Sequence, residues 1–297
     1  MIVAVVRMLV VLLVTAVPAA AQTRATTGAG EERGAASFDS NGVQIHYADR
    51  GRGVPVVLLH GFTGSYARHW EAPGVMQALE TAGYRVIAMD CRGHGQSGKP
   101  QESGQYGVEM VRDVVRLLDH LNVERAHIVG YSMGGATASQ LLVKYPKRVL
   151  TVTLIGSGWE GEDLQALTSQ MLSMADDFDH QDASALIRGV SASGAGGLTD
   201  AQIAAATADL FARNDSHVLA AIARGLPPLW RVSREELRAT TVPVLAIVGE
   251  YDRNNLEAVR RMVGVVPGLQ VVQLPGASHA TSVRPAAEHI VAFLNTH

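Results

Sequence analysis

The sequence predicts an α/β protein with a doubly wound, mostly parallel sheet, and three observations support this fold class. Short apolar runs without polar alternation, such as residues 54–60, are typical of strands buried on both faces of a parallel sheet. Segments with helical spacing alternate with these runs along the chain. Residues 126–138 predict a strand, a sharp turn at Ser132 and a helix, so a serine lies at a strand end.

The predicted elements follow one another in a simple order. Ser40, Asn41 and Gly42 favour a hairpin turn before a strand at residues 43–48. Further strands are predicted at residues 54–60, 85–90, up to Gly130, 150–156, 242–249 and 269–274, with helices at about 75–82, 108–121, after Ser132, 256–263 and 285–294. Residues 158–240 are rich in Ala, Leu and acidic residues with helical spacing, which predicts a mostly helical insertion between core segments 37–157 and 241–297.

The first 21 residues have the pattern of a secretory signal peptide. Arg7 is the only charge before an apolar run at residues 8–17, and residues 19–21 form an Ala-Ala-Ala ending. We therefore expect cleavage after Ala21 and an exported protein, periplasmic or secreted. The alternative is an uncleaved membrane anchor, for which the run is short. Residues 22–36 lack periodicity and predict a disordered leader.

Composition limits the possible partners. The chain has 297 residues, 47% of them hydrophobic, which is ample for a buried core. Without residues 1–21 it carries 24 basic and 28 acidic side chains, a net charge of −4 that argues against nucleic acid. Cys91 is the single cysteine, so no intramolecular disulfide forms. The sequence contains no metal-binding or phosphate-binding motif. We expect no metal, no cofactor and no stable membrane insertion after signal removal.

The turn at Ser132 is the strongest candidate site. Gly130 and Gly134 flank it at two residues on each side, where the strand and helix crowd the turn and leave no room for a Cβ. Such a turn exposes the Ser132 hydroxyl and directs the Met133 N–H, at a helix N-terminus, to the same side. The strand at residues 54–60 ends in His60, Gly61 and Phe62, where glycine lets the chain turn and aim the Phe62 N–H at an oxyanion.

A serine hydroxyl needs a base, and His279 follows the last predicted strand. Asp252 follows the preceding strand and would orient the imidazole, since strand ends of a parallel sheet converge on one crevice. Glu250 is the second candidate for the acid. His60 is expected to shape the loop at Phe62. His94 and Cys91 are weaker candidates, the cysteine being expected to pack in the core.

These motifs resemble the α/β-hydrolase fold family, in the branch of serine esterases and lipases, over about residues 37–293. The matching motifs are His60-Gly61-Phe62, D-x-R-G-x-G-x-S at residues 90–97, G-Y-S-M-G-G at 130–135, G-E-Y-D ending at Asp252 and G-A-S-H ending at His279. The resemblance implies eight mostly parallel strands and a helical cap (residues 158–240) after the sixth. It also implies Ser132 as nucleophile, His279 as base, Asp252 as acid, and Phe62 and Met133 as oxyanion donors. Serine at the nucleophile position differs from the aspartate that the related epoxide-hydrolase and haloalkane-dehalogenase branches use.

The resulting expectation is a cofactor-free serine hydrolase that cleaves carboxylic esters of small or medium acyl chain. Amide, lactone or carbon–carbon hydrolysis and peroxyacid formation use the same serine and remain alternatives, as does a non-catalytic ligand-binding protein of this fold. For the substrate pocket we expect Phe62, Trp70, Trp159 and Trp230, with core packing as the alternative for each. Further apolar residues of the insertion that could join this wall are Met171, Met174, Phe178 and Leu226.

Overall fold

The centre of the fold is an eight-stranded sheet. A computed structural model describes residues 34–191 and 198–297, so the predicted signal peptide and residues 22–33 of the predicted leader lie outside the described residues. The strands are β1 (Ala35–Ser40), β2 (Val43–Gly51), β3 (Pro55–Leu59), β4 (Arg85–Met89), β5 (Ala126–Tyr131), β6 (Val149–Ile155), β7 (Val244–Gly249) and β8 (Gln270–Leu274). Their order across the sheet is β1-β2-β4-β3-β5-β6-β7-β8.

The sheet is mostly parallel, as predicted. β1 and β2 form the predicted antiparallel hairpin, and β2 pairs antiparallel with β4. All other neighbours, from β4 to β8, pair in parallel. Asn41 and Gly42 form the hairpin turn with φ angles of 58° and 84°. β1 begins at Ala35, which pairs with Ala48, so the sheet includes the last two residues of the segment that the sequence assigns to the leader.

Helices cover both faces of the sheet. α1 (Val75–Thr81) and α10 (Val283–Leu294) lie on one face, whereas α2 (Val108–His120), α3 (Met133–Lys144) and α9 (Arg253–Met262) lie on the other. Val56 and Leu58 of β3 pack with the first group, and Val57 and Leu59 with the second. Because successive strand residues point to opposite faces, a strand covered on both sides has no polar position.

The predicted helical insertion lies between β6 and β7 and comprises α4 (Gln165–Asp179), α5 (Ser184–Ser191), α6 (Asp200–Arg213), α7 (Ser216–Gly225) and α8 (Arg234–Arg238). Local capping starts several of these helices. Thr199 and Ser233 form capping boxes with Gln202 and Glu236, and Asp215 accepts two backbone N–H groups at the start of α7. In the part of the chain that the structure describes, no helix is both long and apolar enough to cross a membrane.

The D-x-R-G-x-G-x-S motif at residues 90–97 has a structural role in buried hydrogen bonds. The Asp90 carboxylate accepts from the backbone N–H groups of Tyr66 and Gln96 at 2.8 and 2.9 Å. Arg92 donates to both carboxylate oxygens of Asp113 at 2.6 and 2.5 Å, and both side chains are buried. The motif therefore links the loop after β4 to two other elements. One is the π-helical turn Ala67–Glu71, through Tyr66 directly before it, and the other is α2.

Candidate active site

Ser132 lies in a strained turn between β5 and α3. Its φ angle is +54°, a conformation that non-glycine residues rarely adopt, and it is the N-cap of α3. A Cβ on Gly130 would lie 2.2 Å from the Gly134 carbonyl oxygen, and a Cβ on Gly134 would lie 2.0 Å from the Leu59 carbonyl oxygen. Both flanking positions therefore require glycine, as the sequence predicts, and the turn holds the serine rigidly at the carboxyl end of β5.

The structure brings together the three residues that the sequence predicts as nucleophile, base and acid. His279 Nδ1 lies 2.7 Å from Asp252 Oδ2, and His279 Nε2 lies 3.0 Å from Ser132 Oγ. Since a carboxylate can only accept, Nδ1 carries the imidazole proton and Nε2 accepts the hydroxyl proton of the serine. This tautomer is the one in which the imidazole can remove the serine proton while Asp252 stabilises the imidazolium.

The backbone of His279 is held by two hydroxyl groups. Its carbonyl oxygen accepts from Tyr131 at 3.0 Å and from Ser282 at 2.9 Å. The Tyr131 ring also stacks on the imidazole, with ring centroids 5.1 Å apart and an angle of 30°. Sequence analysis did not single out Tyr131, although its position directly before Ser132 is a signal that could have identified it.

Asn255 is a second contributor that sequence analysis missed. Its Nδ2 donates to Asp252 Oδ1 at 2.8 Å and lies 3.2 Å from His279 Nδ1. Asp252 is the N-cap of α9 and Asn255 lies one helical turn later, so the i to i+3 spacing was the available signal. Glu250, the second candidate for the acid, is exposed and accepts from the Gly276 N–H at 2.8 Å.

Two backbone N–H groups near the serine are free to bind a ligand. Within residues 34–191 and 198–297, neither the Phe62 N–H nor the Met133 N–H donates a hydrogen bond. Met133 is the first residue of α3, where helix N–H groups lack intrahelical partners and the helix dipole favours negative charge. The loop at Phe62 is packed on the serine, because a Cβ on Gly61 would lie 3.3 Å from Ser132 Cβ. This arrangement can stabilise an oxyanion.

His60 holds the Gly61 carbonyl from inside the core. The Cys91 N–H donates to His60 Nε2 at 3.0 Å, so Nδ1 carries the proton and donates to the Gly61 oxygen at 2.7 Å. Complete burial lowers the pKa of His60, although the Asp90 carboxylate favours its charged form. The neutral imidazole therefore shapes the loop as the sequence predicts.

His69 supports the same loop from its other side, and sequence analysis did not identify it. The Gly61 N–H donates to His69 Nδ1 at 3.2 Å. A Cβ on Gly64 would overlap the His69 ring, 2.2 Å from its Cε1 atom, so the imidazole fills the space beside this glycine. Burial, together with the neighbouring His60, lowers the pKa of His69 to about 3. It is therefore a neutral acceptor at ordinary pH.

The four predicted pocket residues occupy three different environments. Phe62 is half-buried beside the serine, with its ring against His94 and Phe178. Trp159 and Trp230 line one narrow cavity beside α3. Trp70 is completely buried among the core residues next to α1. The π-helical turn Ala67–Glu71 directs it there, so the structure separates Trp70 from the crevice and favours the core-packing alternative for this residue.

The other candidate ligands and nucleophiles are internal. In the described portion of the chain, no group of three or more His, Cys, Asp or Glu side chains is placed to bind a metal ion. Cys91 is buried, and burial raises the pKa of its thiol. His94 is completely buried, and burial lowers its pKa to about 3. The Ser132 hydroxyl, in contrast, lies 3.0 Å from an imidazole nitrogen that can accept its proton.

Comparisons with known proteins identify the family of this chain. The chain is 39% identical over 120 residues to 2-hydroxy-6-oxo-6-phenylhexa-2,4-dienoate hydrolase of Comamonas testosteroni, covering 39% of this chain and 41% of that protein. The chain spans less than half the length of the curated relatives it matches.

Solved structures match over most of the chain. Est816, described as an N-acyl homoserine lactone degrading enzyme, is 26% identical with a TM-score of 0.70, covering 88% of this chain and 99% of that one. A carboxylesterase of Nitrososphaera gargenis is 25% identical with a TM-score of 0.70, covering 88% and 97%. A family model described as the alpha/beta hydrolase fold matches residues 54–283. This chain belongs to the α/β-hydrolase fold family.

Proposed function

We propose that this protein is a serine hydrolase that cleaves carboxylic esters of small or medium acyl chain. The observation that carries the proposal is the continuous hydrogen-bonded path from Ser132 Oγ through His279 to Asp252, with distances of 3.0 and 2.7 Å. Two unpaired N–H groups, of Phe62 and Met133, lie beside this path among the described residues. Together they supply a nucleophile, a base and an oxyanion site.

The proposed reaction has two steps. Ser132 Oγ attacks the ester carbonyl and His279 takes the hydroxyl proton, while the two N–H groups stabilise the oxyanion. The tetrahedral intermediate collapses, the carbon–oxygen bond to the alcohol breaks, and His279 protonates the departing alcohol. Water, activated by His279, then attacks the acyl-serine, releases the carboxylic acid and restores the serine. No cofactor takes part in these steps.

The narrow cavity beside α3 is mostly apolar, but its volume of about 10 Å³ is that of about one water molecule. It is lined by Trp159 and Trp230 together with Ala136, which lies one helical turn after Ser132 on α3. The Trp159 Nε1 donates to the Val232 carbonyl at 2.8 Å, so this indole presents apolar surface with its polar atom satisfied. This cavity has no room for an acyl chain, so the acyl length in the proposal rests on the sequence pattern and is tested with the graded esters below.

The direct test is hydrolysis of p-nitrophenyl esters of graded acyl length. We expect the wild type to turn over, Ser132→Ala to fall to background, and Asp252→Asn to lose about 10⁴-fold in kcat. Glu250→Gln is the matched control for the acid, because Glu250 follows the same strand without touching His279, and it should retain activity. A folded wild type that is inactive on every ester would contradict the proposal.

Lactone hydrolysis is the second candidate, because a lactone is a cyclic ester and the same steps open its ring. The likeness to Est816, which extends over 88% of this chain, favours it. The test is ring opening of N-acyl homoserine lactones, followed by mass spectrometry, in the wild type and in Ser132→Ala. A kcat/KM for lactones well above that for open-chain esters would make lactones the preferred substrates, whereas a much lower value would favour open-chain esters. The curated relative from Comamonas testosteroni is named as a hydrolase of 2-hydroxy-6-oxo-6-phenylhexa-2,4-dienoate, so this compound is the next substrate to assay.

We also propose that the protein is exported, on the pattern of residues 1–21 alone. After expression in a bacterium, the intact mass of protein recovered from the periplasm or medium should correspond to a chain that begins at Gln22. Recovery of the uncleaved chain in the membrane fraction would instead support the anchor alternative.

A further inference from the structure

The side chain of Phe62 connects the oxyanion loop to the helical insertion. Its ring lies edge-to-face against His94 at 5.7 Å and against Phe178 of α4 at 5.8 Å. His94 and Phe178 are both completely buried. Phe178 also lies edge-to-face against Phe211 of α6 at 6.1 Å. A continuous series of aromatic contacts therefore runs from two helices of the insertion to Phe62, whose N–H is the proposed oxyanion donor.

We propose that Phe178 is a positioning residue for the Phe62 N–H, so that the insertion sets the geometry of the oxyanion site as well as the shape of the pocket. This inference rests on the proposed function. It gives Phe178 a task different from that of a pocket wall, since a completely buried ring offers no surface to a substrate.

The hydrogen bonds of the loop hold this N–H from one side only. His60 binds the Gly61 carbonyl, which shares a peptide plane with the Phe62 N–H, and His69 accepts from the Gly61 N–H. After Phe62, Thr63 has a φ angle of +62° and the Gly64 N–H returns to the Gly61 carbonyl at 3.2 Å. Phe62 itself therefore sits at the apex of a tight turn.

The ring is the anchor on the other side of that peptide. Within the described ranges, no hydrogen bond from the Phe62 N–H itself adds to the one between His60 and the Gly61 carbonyl. Contacts on the ring from His94 and Phe178 restrict the side-chain torsions, and these torsions are coupled to the backbone of the same residue. Because oxyanion donors act through preorganisation, loss of one contact should lower the rate of the chemical step.

The experiment compares Phe178→Ala and Phe178→Leu with Phe38→Leu, a matched loss of a buried aromatic ring on β1 that lies outside the aromatic series. The first readout is kcat and KM on p-nitrophenyl acetate, butyrate and hexanoate. The second is the rate at which a small fluorophosphonate labels Ser132. In that reaction the Oγ–P bond forms, the P–F bond breaks with loss of fluoride, His279 accepts the serine proton, and the phosphonyl oxygen occupies the oxyanion site.

We expect Phe178→Ala to lower kcat about tenfold on all three esters with KM nearly unchanged, and to slow labelling by a similar factor. Phe178→Leu should show a smaller loss in the same direction, and it carries the test if the alanine variant does not fold. Phe38→Leu should stay within about twofold of the wild type, because its ring contacts Tyr47 and His120 and not the aromatic series. In the double variant Phe62→Leu/Phe178→Leu the losses should not multiply, because both changes disturb one contact.

Three results would overturn the inference. They are unchanged kcat and labelling in both Phe178 variants, losses that multiply in the double variant, and a loss that appears in KM and varies with acyl length. In each of these cases an active wild type and a dead Ser132→Ala variant would leave the proposed function intact. A folded wild type that neither hydrolyses esters nor becomes labelled would overturn the proposed function, and this inference with it.

Discussion

The Nδ1 atom of His60 lies 2.7 Å from the carbonyl oxygen of Gly61, and that carbonyl belongs to the same planar peptide as the Phe62 N–H. In a trans peptide the C=O and N–H groups point in opposite directions. A buried imidazole that binds the carbonyl therefore turns the N–H away from the core, toward the side where Ser132 lies. The same hydrogen bond polarises the peptide and strengthens the N–H as a donor.

The first prediction is that His60→Leu lowers both activity and stability. The change leaves the Gly61 carbonyl without its imidazole donor and the Cys91 N–H without an acceptor. We expect a kcat about 10- to 100-fold lower on p-nitrophenyl esters, since an oxyanion donor loses its orientation. The free energy of unfolding in urea should fall by about 1–3 kcal/mol, because a buried polar group loses its partner.

His60→Gln is the matched control, because an amide side chain offers both a donor and an acceptor. It should recover part of the lost kcat. A His60→Leu variant that is destabilised but retains the wild-type kcat would show that His60 supports only the fold and not the oxyanion site.

A second prediction concerns Asn255, whose Nδ2 donates to Asp252 Oδ1 at 2.8 Å. Without this donor the carboxylate can rotate, and the Oδ2 atom that binds His279 is held less firmly. We expect Asn255→Ala to lower kcat about tenfold, which corresponds to roughly 1.4 kcal/mol, with KM unchanged. Asn254→Ala, an exposed neighbour on the same helix, is the matched control and should behave as wild type. If the two variants have equal kcat and KM, Asn255 does not contribute to the active site.

The sequence was sufficient to predict the sheet and to name the three side chains that the structure brings within hydrogen-bonding distance, because each depends on local signals. Several of the parallel strands are continuous apolar runs, and Ser132, Asp252 and His279 each follow the end of a strand. Asn255 and His69 escaped prediction, since their roles depend on how a helical turn is rotated about its axis. The pairing of Arg92 with Asp113 joins a loop to a helix, and no short-range pattern encodes such a contact.

Trp70 shows why the substrate pocket was harder to predict than the chemistry. It lies eight residues after Phe62, and sequence proximity to the oxyanion loop suggested the crevice. The intervening π-helical turn rotates the indole to the core, where burial of a large apolar ring is favourable. This preference outweighs the loss of an acceptor for the indole Nε1, which has none among the described residues.

A third prediction tests the close contact between α3 and β3. A Cβ on Gly134 would lie 2.0 Å from the Leu59 carbonyl oxygen, and backbone cannot move aside easily. We expect Gly134→Ala to lower the free energy of unfolding by about 3 kcal/mol or more, the upper end of overpacking effects. In Gly189→Ala, within α5, the added methyl group meets no atom within 4 Å. That variant should be stabilised by about 0.5–1 kcal/mol in the same urea titration. If both variants lose a comparable amount of unfolding free energy, the close contact between Gly134 and the Leu59 carbonyl is not the cause of the loss.

A fourth prediction concerns the buried ion pair of Arg92 and Asp113, whose side chains are 1% and 0% exposed. Arg92→Met leaves a buried carboxylate without its main partner, so we expect a loss of about 3–5 kcal/mol in the free energy of unfolding. The double variant Arg92→Met/Asp113→Leu removes both charges and should be more stable than Arg92→Met alone. If adding Asp113→Leu lowers the free energy of unfolding further, the unpaired charge is not the reason that Arg92→Met is destabilised.

The fifth prediction is that buried histidines make the fold sensitive to mild acid. Burial lowers the pKa of His69 and of His94 to about 3, and it also lowers the pKa of His60. In the unfolded chain a histidine has a pKa of about 6.5. Below that value the unfolded chain binds protons that the folded protein excludes. The free energy of unfolding therefore has its full contribution from these histidines above pH 6.5 and decreases as the pH falls toward 3.

His94→Phe isolates one of these contributions. His94 donates from Nδ1 to the Arg92 carbonyl at 3.0 Å, and its Nε2 has no partner among the described residues, so an apolar ring loses little at neutral pH. Between pH 6 and pH 4.5, each excluded proton costs the wild type about 1.4 kcal/mol of unfolding free energy per pH unit. Urea titrations across this range should give His94→Phe a slope shallower by about that amount. Parallel slopes would mean that His94 accepts a proton in the folded protein, in conflict with its complete burial.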